Sequence, residues 1–321
     1  MAEVSEETPA PSRSAVLVRR WREHVWRLVV TTVGSCLRHR VTGLAAEAAF
    51  FAVLSVPPLV FALAGAIGFV SDRFTAAQIE DVRNAVLELS RQGLTEKAVN
   101  TIIRPTIDTV LDGGRYDVIS IGFILALWSG SRALNVFVDT ITIMHGLGGH
   151  RGIVATRALS FVLYVLAMVT GAVSLPLVVA GPSLVDRLVP DQLGFVNSLY
   201  WPVVLLVCIC FLATLYHVSV PVRTNWSFNL PGAAFALFCW IAGSYVLRWV
   251  LTVTAAESRS IYGPLAAPIA VLLWLYLLAL AVLIGAAVNA AFDTVFPQKN
   301  TTRARLEMVQ RLRERISVRD S

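Results

Sequence analysis

Charged residues withdraw from five stretches of the chain long enough to cross a bilayer: Ala48 to Ser71, Ala158 to Val185, Gln192 to Val222, Thr224 to Leu247 and Ser260 to Phe292. A hydrocarbon core of about 30 Å takes about 20 helical residues, and each stretch reaches that length without Asp, Glu, Lys or Arg. A sixth, Val118 to about His145, is interrupted only by Arg132 and Asp139. Spanning backbone must satisfy its own hydrogen bonds, and nothing alternates with the period of a barrel strand, so the pattern predicts an all-α integral membrane protein. The architecture expected is a bundle of six transmembrane helices over residues 44–296, with tails at 1–43 and 297–321.

Between the first two spans, residues 72–117 place apolar positions at helical spacing: Ile79, Val82, Val86 and Leu89, then Leu94, Ala98 and Ile102, then Ile107, Val110 and Leu111 beyond Pro105. This predicts an extracytoplasmic helical cap broken near Gln92-Gly93. Eight acids and six bases are mixed through it, so it lacks the single-sign field of a nucleic-acid site.

The N-terminal tail sets Val16, Leu17, Trp21, Val25, Leu28 and Val29 against Arg19, Arg20, Arg22 and Arg27, the pattern of an interfacial amphipathic helix. The C-terminal tail repeats it more weakly, with Leu306, Val309, Leu312 and Ile316 opposed by Arg305, Arg311, Arg313 and Arg315. Seven arginines precede Gly43, and Lys299 with six arginines follows Pro297. The positive-inside bias therefore places both termini in the cytoplasm, as an even helix count requires.

Composition sharpens the class. Of 321 residues 56% are hydrophobic and 15% charged, with a mean hydropathy of +0.68, against about 25% charged in a soluble domain. The net charge of +6 sits mostly on the two tails, where anionic inner-leaflet lipid accounts for it better than nucleic acid does. Cys36, Cys208, Cys210 and Cys239 lie in or beside apolar segments and imply no disulfide framework. No secretory signal precedes the first span, which is expected to be retained in the inner membrane.

Candidate chemistry lies where polar residues are costly, since an ionisable group at a helix centre costs at least about 2.5 kcal/mol unless paired or hydrated. Ser129, Arg132, Asn135 and Asp139 are spaced by 3, 3 and 4 residues and share one arc of about 120° on the second span. That arc is expected to face the bundle interior, with Glu47 entering the first span at a depth similar to that of Asp139. Two uses remain open: a substrate-binding polar cavity, or glue that joins helices. Arg248 and Asp293, near helix ends, are expected to snorkel to water. Pro57-Pro58, in the first span, removes two donors and predicts a hinge or kink that exposes carbonyls. Ala45, Ala46, Ala48, Ala49 and Ala52, with Gly65 and Gly68, permit close helix approach. His145 and His150 flank a glycine-rich turn without a carboxylate at metal-ligand spacing, and no nucleophile, base and orienter can be assembled. Neither a catalytic residue, a metal nor a cofactor is expected.

Four stretches resemble the BrkB/YihY family of six-helix bacterial inner-membrane proteins over about Val41 to Phe296. They are Gly43-Leu-Ala-Ala-Glu-Ala-Ala-Phe-Phe-Ala-Val-Leu-Ser-Val-Pro-Pro58; Leu127-Trp-Ser-Gly-Ser-Arg-Ala-Leu-Asn135; Pro221-Val-Arg-Thr-Asn-Trp226 with Leu230-Pro-Gly-Ala233; and Tyr262-Gly263, Leu273-Trp-Leu-Tyr276 and Gly285-Ala286 before Asn289. The resemblance implies this fold and a transport or envelope role, not the ribonuclease BN activity under which the family was once labelled. The family often carries Glu two residues after the glycine of the last stretch; Ala287 stands there, and no role for that carboxylate carries over. The expectation is a lipid or other anionic amphiphile moved across the membrane, with a non-transporting envelope scaffold as the alternative.

Overall fold

The computed structural model describes residues 13–70, 116–188, 195–222, 224–256 and 266–319, and six single positions between 71 and 115: Glu80, Arg83, Asn84, Leu87, Asn100 and Arg104. Among them there is no strand. The elements are α1 (Arg13–Arg38), α2 (Val41–Val70), α3 (Tyr116–Met144), α4 (Ile153–Leu188), α5 (Phe195–Ser219), a 3-10 turn (Trp226–Asn229), α6 (Leu230–Ala256), α7 (Ala266–Val295) and α8 (Lys299–Arg319). Five helices, α3 to α7, are long and apolar enough to cross a membrane, and six spans result if α1 and α2 count as one broken span bent by 61°. At the described positions of the expected cap, Arg83 pairs with Glu80 at 3.2 Å and Leu87 is buried; the rest of the cap lies outside the described residues.

Alanine and glycine set the packing. α7 buries Ala279, Ala281, Ala286, Ala287, Ala290 and Ala291 and packs against α1, α2, α3 and α6. Without a hydrophobic drive between helices in lipid, small side chains gain adhesion by letting backbones approach. Ala45, Ala48 and Ala49 of α2 are buried as expected, whereas Ala46 faces outward. At one crossing of α6 and α7 a Cβ on Gly232 would fall on the Gly285 carbonyl and the Asn289 side chain, so only glycine fits.

Helix ends follow from local chemistry. α3 stops where Gly146 takes φ 72°, and Leu147 N donates to Thr142 O at 3.0 Å while Gly146 N donates to Ile143 O at 2.9 Å; this is a Schellman stop, which glycine adopts without a Cβ penalty. Between α1 and α2, Arg40 itself takes φ 51°, a left-handed conformation that costs a non-glycine residue about 1–2 kcal/mol. α1 is no detached tail: Leu28, Thr31, Thr32, Ser35 and Cys36 are partly buried, and the helix packs on α7. Trp26, Val29, Val30, Val33 and Leu37 form its exposed stripe.

α2 runs as one helix through Pro57-Pro58, so the expected break does not interrupt it. The carbonyls of Val53 and Leu54 nevertheless lose their i+4 donors, because neither proline has an N–H.

Candidate functional site

Two polar regions stand out, one on the outer face of α2 and α3 and one at the end of the bundle where α8 docks. Val41, Ala45 and Ala48 of α2 share a buried cluster with Val136, Val138 and Ile141 of α3, so α2 begins where α3 ends and the two run antiparallel. Ser129 Oγ donates to Phe51 O at 3.0 Å, which fixes their register. Counting from this bond, three residues to Arg132 and four back to Glu47, Arg132 and Glu47 lie within about 1.5 Å of the same level.

The polar arc of α3 does not face the interior as a whole. Ser129 is buried against α2, Arg132 and Asn135 are half-buried, and Asp139 is exposed. Exposed Ile121, Leu125, Trp128 and Ile143 continue the same stripe at helical spacing, and Glu47, Phe50 and Leu54 line the adjacent outer face of α2. The face turned inward carries Ala126, Ser129, Gly130 and Ala133. Gly130 lets the Tyr164 ring of α4 come so close that any Cβ would collide with it. Close packing of small residues takes the interior, and the long polar side chains are left outside.

Arg132 points its guanidinium carbon over the Phe51 ring, 4.9 Å from the centroid, and 5.9 Å from that of Trp128. Side chains lean toward a helix's N-terminus, so Arg132 reaches away from the α8 end and does not snorkel to it. Two aromatic faces give a cation about 0.5–1 kcal/mol each at exposed sites and more when desolvated. Among the described residues no carboxylate forms an ion pair with Arg132, and neither Glu47 nor Asp139 pairs with a basic side chain.

At the α8 end, sequence reasoning missed a second constellation. Asp293 is buried, not snorkelling, and Arg305 Nη2 donates to its Oδ2 at 2.7 Å. Arg305 Nε also donates to the His145 carbonyl at 2.7 Å, so Arg305 turns away from the arginine face of the tail and fastens α8 to α3 and α7. His145 Nδ1 donates to Ile141 O at 2.8 Å. Burial, the largest influence, holds this imidazole below its ordinary range; the Ile141 carbonyl and Asp293 pull it up and Arg305 pushes it down. A small recess, with room for about one water molecule, is lined by His145, Thr224, Asn229, Asn289, Asp293 and Gln298, among others.

Asn289 explains why its neighbours are there. Its Oδ1 accepts from Gly232 N at 2.8 Å, an orphan donor of the first turn of α6, and its Nδ2 donates to Asn229 O at 3.2 Å. Arg151 donates to the Val218 and Ser219 carbonyls at 3.1 and 3.4 Å, closing the C-terminus of α5. These bonds join helix ends, and among the described residues no group of three or more His, Cys, Asp or Glu could hold a metal ion. Ala287 is fully buried, a position with no room for an unpaired carboxylate.

The quoted stretches thus meet in pairs: Gly43 to Pro58 with Leu127 to Asn135 on the outer face, and Pro221 to Ala233 with Gly285 to Asn289 at the α8 end. Known proteins point the same way. The chain is 27% identical over 260 residues to the ribonuclease-like protein YfkH of Bacillus subtilis (strain 168), covering 78% of this chain and 90% of the relative. No solved structure matches it. The sequence profile of the Virulence factor BrkB family spans residues 32–307, and the chain belongs to that family.

Proposed function

We propose that this membrane protein moves a lipid or other amphiphile with an anionic headgroup group, such as phosphate, between leaflets of the bacterial inner membrane, with both termini in the cytoplasm. The observation that supports this reading is Arg132: a half-exposed guanidinium on a membrane helix, held by two aromatic rings and by no carboxylate among the described residues. Its fork of donors suits phosphate or carboxylate oxygens. Because the stripe of Arg132, Asn135 and Asp139 faces outward, a headgroup can follow it while the acyl chains stay in lipid. Substrates and enzyme chemistry of the ribonuclease type are not part of this reading.

Replacing Arg132 by Ala is expected to slow lipid movement in proteoliposomes by about tenfold or more, the value of a charged hydrogen bond, with thermal stability nearly unchanged because the side chain lies outside the packed core. The competing reading is a scaffold whose polar face is covered by another envelope protein. Lipid movement by wild type no faster than in protein-free vesicles would favour it, whereas wild-type transport with an unaltered rate in the Arg132→Ala variant would take Arg132 out of the path.

The tails fit the same setting. The exposed stripe of α1 is expected to lie in the inner leaflet, with the flanking arginines on anionic lipid, about 1 kcal/mol for each charge. A nitroxide at Leu37→Cys should collide readily with oxygen and poorly with a water-soluble nickel chelate; the reverse ranking would place α1 in water.

A further inference from the structure

We infer that the headgroup received at Arg132 carries an ammonium as well as a phosphate, so that the substrate class is a zwitterionic aminophosphate amphiphile. This rests on the outer face of α2 and α3 being the headgroup path. The charge order of that face carries the inference. Arg132 supplies its cation, while Glu47 and Asp139 supply two carboxylates, all half-buried or exposed on the same side. A face built for a purely anionic headgroup would not set two acids beside its one arginine.

Register and side-chain direction make the arrangement specific. Arg132 and Glu47 share a level on adjacent helices, whose axes pack about 8–10 Å apart, yet no ion pair joins them. Their side chains lean apart: Arg132 toward Phe51 and Trp128, Glu47 toward the start of α2. In a low-dielectric surrounding, opposite charges left apart at this distance attract strongly. A ligand with an anion at one end and a cation at the other satisfies both without drawing the helices together. Phosphate and ammonium joined by a two-carbon link, with a hydrogen bond at each end, reach over about 10 Å, of the order of the spacing between packed helix axes. A primary ammonium also brings three donors for the carboxylates. A phosphate-only headgroup meets Arg132 but is repelled by Glu47 and Asp139.

The test uses the full chain in vesicles, with acyl-labelled phosphatidylethanolamine and acyl-labelled phosphatidylglycerol as probes and dithionite quenching as the readout. Wild type is expected to move the first about tenfold faster than the second, the worth of one charged hydrogen bond. Glu47→Gln should bring the two rates together, slowing the ethanolamine lipid and speeding the glycerol lipid, and Arg132→Ala should slow both. Equal rates in wild type, or a ratio untouched by Glu47→Gln, overturns the zwitterion assignment while an effect of Arg132→Ala keeps the headgroup path. If Arg132→Ala slows neither lipid, the path itself falls, and this inference with it. Should Glu47→Gln express poorly, Asp139→Asn and the ratio of the two lipids retained on wild type in native mass spectrometry give the same decision.

Discussion

Gly285→Val is expected to lower the melting temperature by about 10 °C and to reduce the yield of folded protein. A Cβ at Gly285 would press on the Gly232 carbonyl, the Tyr216 hydroxyl and the Ala236 methyl at once. Two of these cannot give way: one is backbone, and the Tyr216 hydroxyl donates to Val282 O at 2.7 Å from a fully buried ring. α6 and α7 must therefore separate. Overpacking of this kind costs about 1–3 kcal/mol, and separation also strains the two bonds of Asn289, each worth about 1 kcal/mol. The sum of about 3–5 kcal/mol gives the stated shift for a domain of this size, at about 2–4 °C per kcal/mol. Thermal unfolding in detergent with size-exclusion detection is the measurement. A Gly285→Val protein melting within about 2 °C of wild type would show that the crossing is looser than described.

Asp293→Ala should cost about 3 kcal/mol, at the low end for breaking a buried ion pair by removing one partner, because the Arg305 side chain keeps 29% of its exposure. Removing the carboxylate strands the guanidinium against the His145 carbonyl, its other partner. Arg305→Met in the same chain should recover most of that loss, since a pair replaced by apolar groups leaves no uncompensated charge. A double-mutant cycle measures this directly: a coupling energy near zero would mean that the 2.7 Å contact adds nothing to the docking of α8.

Much of the fold was legible because hydropathy acts over whole helices. α4 to α7 follow from uncharged length alone, and α3 from a stretch that Arg132 and Asp139 interrupt, with boundaries near those expected from the sequence. Facing was legible only in part. The expectation that Arg132, Asn135 and Asp139 turn inward treats polarity as decisive, but the opposite face of α3 offers Ala126, Gly130 and Ala133, and small residues fix which side can approach α2 and α4. Sequence spacing identified the arc and could not weigh it against that competing face. The Asp293 and Arg305 pair was hidden for a different reason. The two are separated by Pro297 and the start of α8, and Arg305 sits in a tail whose arginines all look alike until the turn at 296–298 aims one of them back at the bundle. Asn289 was in view as part of a recognised stretch, but its partners, Gly232 N and Asn229 O, are backbone groups that no residue pattern displays.

The bend of 61° between α1 and α2 has a mechanical outcome for the membrane. A steep α1 would add to the protein's cross-section evenly through the bilayer; an oblique one, with its exposed stripe immersed, displaces lipid on one side only. With α1 in the inner leaflet, as proposed above, the molecule acts as a wedge that adds area at the level of Trp26 to Leu37. A wedge gains most where the membrane bows toward its broad side, so the protein should gather at curved regions of the cell envelope and relieve packing stress in the leaflet that α1 fills.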